Sequence, residues 1–148
     1  MSEWRSDPTG FNESVIGEFR ANGGVVGGEL AGMPLLLLTT IDTRSGQPRT
    51  TPLAYHRRGG RYLVIASNGG AVRDPAWFRN LEQDPDVTVE VGVRTFAATA
   101  TILEASERDA VFAMIVAEAP SAGMFQAKAG RAIPVIELEP LRGRPRPG

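Results

Sequence analysis

PLLLLTTIDTRSGQPRTTPLAYHRRGGRYLVIAS, residues 34–67, holds apolar, β-prone segments separated by two turns. Leu35 to Leu38 run without polar alternation, so the strand expected over about Met33 to Ile41 must be covered on both faces. Such a strand belongs at the centre of a sheet or barrel. A second strand, about Thr50 to Arg57, alternates better, and Arg58-Gly59-Gly60 turns it into a third, Arg61 to Ser67. The segment is a meander. Its first turn, Asp42-Thr43-Arg44-Ser45-Gly46-Gln47 followed by Pro48, Arg49, Thr50 and Thr51, carries more chemistry than solubility requires. Guanidinium forks and hydroxyls suit an anionic oxygen ligand, because paired N–H donors match phosphate and carboxylate geometry. The competing reading is a solvated hairpin tip. Spacing alone favours it, since no Gly-Lys-Ser/Thr leads into a helix as in a P-loop.

Outward from this core, Asn12 suits the N-cap of a short helix with Val15, Ile16 and Phe19 as its apolar stripe. Asn22-Gly23-Gly24 should end it, and Val25 to Gly32 reads as a glycine-rich loop. Downstream, Asp74-Pro75 predicts a capped helix over Pro75 to Gln83. Strands follow at Val87 to Val91 and Phe96 to Leu103. Ser106-Glu107-Arg108-Asp109 resembles a capping box for a helix carrying Val111, Phe112, Ile115 and Val116. Ala119 to Gly130 reads as irregular or briefly helical, before a last strand at Ile133 to Leu138. Six strands in meanders with peripheral helices predict an α+β domain on an antiparallel sheet curled into a partly open barrel. The expected organisation is a flexible N-terminus over 1–10, the barrel over 11–140 and a disordered tail over 141–148.

With 148 residues, 42% hydrophobic and 22% charged, one soluble globular domain is expected. A net charge of −1 offers no field for nucleic acid. Cysteine is absent and His56 is the only histidine, so thiolate chemistry is excluded and a histidine-based zinc site is hard to build. The opening MSEWRSDPTG lacks an apolar signal core, and no apolar run approaches the roughly 20 residues of a bilayer span. The expectation is a cytoplasmic protein, with peripheral attachment to the inner face of the membrane left open.

Single residues carry little alone. Ser67 closes an apolar strand and opens a Gly-rich loop, where a hydroxyl and backbone amides can reach a ligand, although a plain strand terminus explains it equally. Trp77 and Asn80 face one way on their helix. A tryptophan there is more often core, whereas Asn80 is less comfortable buried and can hold a loop or a cofactor. His56 sits beside Arg57 and Arg58 near a hairpin tip, where solvation is the default, and supports no Ser/His/Asp set.

In order, these signals resemble the deazaflavin-dependent nitroreductase family, small split β-barrel proteins of the FMN-binding-like type that use reduced coenzyme F420. The resemblance spans about Asn12 to Pro140. Its markers are Phe19-Arg20-Ala21-Asn22-Gly23-Gly24, Leu38-Thr39-Thr40, Arg44-Ser45-Gly46-Gln47-Pro48-Arg49, Thr51-Pro52-Leu53, Ser67-Asn68-Gly69-Gly70, Pro75-Ala76-Trp77-Phe78-Arg79-Asn80-Leu81, Asp84-Pro85 and Arg131-Ala132-Ile133-Pro134-Val135.

The resemblance implies a reductase transferring hydride from reduced F420 to a hydrophobic acceptor, a quinone or a nitro compound. It places Thr43, Arg44, Ser45 and Arg49 in the phosphate-contacting turn. It makes Thr50, Thr51, Pro52, Leu53 and Ala54 contacts of the ring and side chain, with Ile65, Ala66, Ser67 and Asn68, and Ala76, Trp77, Phe78, Arg79 and Asn80. Ser67 takes the position that assists protonation of the acceptor. Ala54, Ala122 and Phe125 stand where members active on nitroimidazoles carry tyrosines, which argues for an apolar acceptor pocket and against nitro-prodrug activation. Asn68 replaces a common lysine, and Thr43 a common arginine. Two rivals remain: an FMN-dependent relative of the pyridoxamine-phosphate oxidases on the same barrel, and a non-catalytic carrier of deazaflavin or lipid.

Overall fold

The structure, a computed structural model, describes residues 10–141. Apart from Gly10 and Leu141, the N-terminal stretch and the tail expected as flexible lie outside the described residues.

Strand β1, Leu35–Ile41, explains its own sequence. Side chains alternate between the faces of a strand. Leu36 and Leu38 enter an interior cluster with Tyr62, Val64, Val89, Ile136 and Leu138. Leu35 and Leu37, on the other face, pack against Val15 and Phe19 of helix α1, Phe11–Ala21. Leu36, Leu37 and Leu38 are each fully buried, worth roughly 1.5–3 kcal/mol apiece. Water reaches neither face, so alternation is unnecessary.

The remaining strands are β2 Pro48–Ala54, β3 His56–Arg58, β4 Arg61–Ile65, β5 Asp86–Val91, β6 Arg94–Ile102 and β7 Val135–Pro140. They form one antiparallel sheet in the order β2-β1-β5-β6-β7-β4-β3. Seven strands replace the expected six, because the segment read as one strand from Thr50 to Arg57 is broken at Tyr55. That residue alone joins β2 to β3, yet these are the opposite edges of the sheet. The sheet therefore curls until its edges meet at Tyr55, giving the partly open barrel. The Tyr55 amide donates to Pro34 O at 3.1 Å, and its ring packs on Tyr62 with centroids 5.2 Å apart.

Helix α2, Ala76–Gln83, seals the interior with Trp77, Phe78 and Leu81. Helices α3, Ala105–Glu118, and α4, Ser121–Ala129, build a separate cluster with Leu63, Ile133 and Val135. The 119–130 segment is thus more regular than its sequence suggests. Three capping expectations are corrected. Gly10, at φ 81°, takes the N-cap of α1 and leaves Asn12 buried within the helix. Pro75 takes the N-cap of α2, and Asp74 binds Arg131 instead. Helix α3 starts at Ala105 without a side-chain cap, while Arg108 turns inward to donate to Ile133 O at 2.9 Å and to Gln126 Oε1.

Two contacts fix α1 to the sheet. Arg20 grips Glu90 of β5 through two bonds of 2.9 and 2.7 Å. Just beyond the helix, a Cβ on Gly24 would lie 2.7 Å from Gly92 Cα, and Gly24 has φ 94°. Gly46, at φ 74°, has open space instead. Gly24→Ala is expected to cost roughly 2–4 kcal/mol in urea unfolding, from left-handed strain plus overlap, and Gly46→Ala about 1 kcal/mol from strain alone. Equal losses would contradict the close approach of the two backbones.

Candidate active site

The turn between β1 and β2 is closed by its own side chains. Asp42 Oδ2 accepts from the Ser45 amide at 2.9 Å and the Ser45 hydroxyl at 2.8 Å, and Ser45 Oγ accepts from the Gln47 amide at 3.2 Å. The Ser45 hydroxyl bond, foremost, and the Ser45 amide hold the Asp42 carboxyl below the usual aspartate range. The charge of Arg49 and the Arg44 amide act in the same direction. Ser45, expected as a ligand contact, thus shapes the turn. Arg44 and Arg49 are exposed, and among the described residues neither has a carboxylate partner. Arg20, Arg58, Arg61, Arg108 and Arg131 do have one, whereas Arg57, Arg73, Arg79 and Arg94, like the turn's two, have none among the described residues.

Asn80 couples this turn to α2. It is 4% exposed; its Nδ2 donates to Thr40 Oγ1 at 3.1 Å, and its Oδ1 accepts from the Thr43 amide at 3.3 Å. Across the hairpin, Thr39 Oγ1 and Thr50 Oγ1 lie 2.8 Å apart. Between hairpin and helices lies a cleft of about 450 Å³. Arg49, Thr50, Thr51, Ala76, Trp77 and Asn80, all expected site residues, line it. Asn12, Glu13 and Ile16 of α1 form a wall that the sequence reading missed, with Asp42 and Pro48 beside the turn. The spacing of Asn12 and Ile16, one helical turn apart, was the available signal.

Other expected residues lie elsewhere. Thr43, Arg44, Ser45, Pro52, Leu53, Ala54, Ile65, Ala66, Ser67, Asn68, Phe78 and Arg79 line no part of this cleft. Ala66 and Phe78 are buried in the interior cluster, with Leu53 against it. Ile65 packs on the α3–α4 cluster, which also holds Ala122 and Phe125, whereas Ala54 packs on the α1 cluster. Arg79 donates to Asp74 O at 2.7 Å. Ser67 precedes a single 3-10 turn, Asn68–Gly70, and its hydroxyl has no partner among the described residues. His56 bonds Glu118 at 3.0 Å, between β3 and α3, away from the cleft.

A cleft of this volume suits a small-molecule or cofactor site. Its lining sets one guanidinium, Arg49, and the Thr50 and Thr51 hydroxyls beside an indole and small apolar side chains, with the carboxylates of Glu13 and Asp42 also on its wall; these donors suit an anionic group on a ligand that carries a planar ring.

Residues 14–140 match the model of the F420H(2)-dependent quinone reductase family. The chain belongs to that family. An F420H(2)-dependent quinone reductase of Mycobacterium tuberculosis (strain ATCC 25618 / H37Rv) is 36% identical over 124 residues, covering 81% of this chain and 83% of the relative. A solved F420-H2 dependent reductase superposes with a TM-score of 0.65 at 34% identity, covering 72% of this chain and 94% of that one. HutZ, a heme storage protein from Vibrio cholerae, shares the fold alone, with a TM-score of 0.56 at 22% identity over 88% of this chain and 91% of its own. The split β-barrel and the deazaflavin-dependent family expected from the sequence are thus both found. This F420H(2)-dependent reductase has coenzyme F420 as its cofactor, and among the described residues no helix is long and apolar enough to cross a membrane.

The turn yields a pH prediction. A carboxyl whose folded pKa is lowered stabilises the fold in full above the unfolded value, about 3.9, and loses that contribution as pH falls through the lowered value. Following Asp42 by carboxyl NMR, the wild-type midpoint should fall below that of an ordinary aspartate, and Ser45→Ala should raise it. Identical midpoints in the two proteins would refute the closed turn.

Proposed function

We propose that this reductase works in the cleft between α1, the β1–β2 hairpin and α2, and that its acceptor is a hydrophobic quinone. Support comes above all from Arg49, a guanidinium on the cleft wall with no carboxylate partner among the described residues, and from Arg44 on the same hairpin, outside the cleft lining. Their charge meets the anionic phosphodiester and polyglutamate chain that the family resemblance brings. The bound deazaflavin supplies a two-electron hydride donor.

The protein's own contribution is placement and proton supply. Thr50 and Thr51 offer hydroxyls along the strand that leaves the turn. Trp77, Ala76 and Ile16 offer an apolar wall that keeps water from a ring. Asn80 keeps turn and wall in register through its bonds to Thr40 and Thr43. Ser67 lies outside the cleft lining, on the loop that leads from β4 to α2; its hydroxyl, without a partner among the described residues, is the proton donor that the family resemblance implies for an oxygen of the reduced acceptor. Oxidation of F420H2 by an added acceptor, rather than binding, distinguishes this reading from a passive carrier.

Fluorescence titration with oxidised F420 tests the anion grip. Arg44→Ala and Arg49→Ala should each raise the coenzyme Kd about 10- to 100-fold, the value of one charge-assisted bond. In stopped-flow, the wild-type protein should oxidise F420H2 with a menaquinone-like acceptor faster than with a nitroimidazole. Kd values unchanged within about twofold would refute the site, and no turnover with any quinone would refute the acceptor.

A further inference from the structure

One side chain outside the cleft organises the loop that carries Ser67. Arg131, in the segment between α4 and β7, is the donor centre of this region. Its Nε donates to Ala71 O at 3.2 Å, and its Nη1 to Asp74 Oδ1 at 2.6 Å. Its Nη2 reaches Ala66 O at 3.1 Å, Arg73 O at 3.2 Å and Ser67 O at 3.5 Å. A guanidinium carries five N–H donors in one rigid plane, so a single side chain gathers four carbonyls spread over residues 66–73. Within the loop itself there are only the Asn68 Nδ2 bond to Arg73 O at 3.0 Å and the two closures Gly70 N to Ser67 O and Ala71 N to Asn68 O.

This capture has a consequence for the other side of each peptide. In a trans peptide the carbonyl and the following N–H point in opposite directions, and no cis bond occurs among the described residues. Carbonyls 66, 67, 71 and 73 turn toward Arg131, so the amides of Ser67, Asn68, Val72 and Asp74 turn away from it. None of those four amides has an acceptor among the described residues. Asn68 adopts φ 50° after a right-handed Ser67 at φ −77°, an alternation that brings successive N–H groups to one concave side and favours an anionic or carbonyl oxygen.

We infer that Arg131 is a positioning residue for the coenzyme: by holding the loop's carbonyls, it leaves the Ser67, Asn68, Val72 and Asp74 amides as donors for coenzyme oxygens and fixes the Ser67 hydroxyl among them. The inference rests on the cofactor site proposed above.

Amide hydrogen exchange of the coenzyme-free protein and fluorescence titration with oxidised F420 test it together, on Arg131→Lys and Arg131→Ala. Lysine retains the charge beside Asp74 but cannot span four carbonyls from one ammonium. Exchange should quicken at Gly70 and Ala71, the loop amides that have acceptors, and stay unchanged in β1, β5 and β6. The coenzyme Kd should rise about tenfold or more in Arg131→Ala and by less in Arg131→Lys. Quickening spread evenly over the whole sheet would make Arg131 a general stability residue and overturn the inference. So would normal wild-type binding with unchanged Kd in both variants, which leaves the cofactor site standing. Failure of the wild-type protein to bind F420 overturns both.

Discussion

Four leucines with no water on either side constrain everything else in this molecule. Because β1 is covered by the barrel interior on one face and by α1 on the other, it cannot slide by one residue without exchanging the two sets of leucines between cores. That register fixes where the hairpin after Ile41 emerges, and α1 is held over it by Arg20–Glu90 and by the Gly24–Gly92 backbone contact. A burial constraint thereby sets the positions of two walls of the cleft, one from the hairpin and one from α1. The third, α2, is coupled to them by Asn80.

The chemistry is layered on that frame with little redundancy. Asp42 and Ser45 spend their polar atoms on one another, so the turn is rigid and its two arginines are left over. The loop after β4 is treated in the opposite way: it does little to close itself and is held from outside by Arg131. One site wall is thus built from local hydrogen bonds, and the proposed donor loop from a contact about sixty residues distant in sequence.

The difference decides what could be read in the chain. Both hairpins of residues 34–67 were legible, since Gly46 and Gly59 supply left-handed turns between apolar runs. So were the termination of α1 and the dual burial of β1. The break at Tyr55 was not, because neither a glycine nor a proline stands at it or beside it. It arises from sheet closure, which carries the chain from one edge to the other. Arg108 was misread as part of a cap, since a guanidinium bound for Ile133 O and the Phe112 ring looks, in sequence, like one more charge at a helix start. Arg49, Thr50, Thr51, Ala76, Trp77 and Asn80 were legible through resemblance to a family, and they share one cleft. Asn12, Glu13 and Ile16 were not, because a wall contributed by a neighbouring element leaves only an amphipathic spacing behind. Arg131 stood among the family's markers with no role, since the carbonyls it serves converge only in the folded chain.

Chemical-shift mapping of the backbone amides during titration with oxidised F420 tests most directly that this cleft is the coenzyme site. Saturable shifts are expected over Thr43 to Thr51, Ser67 to Asp74 and Ala76 to Asn80, joined by Asn12 to Ile16. Shifts confined to α3 and α4, with the β1–β2 hairpin unmoved at saturation, would contradict it.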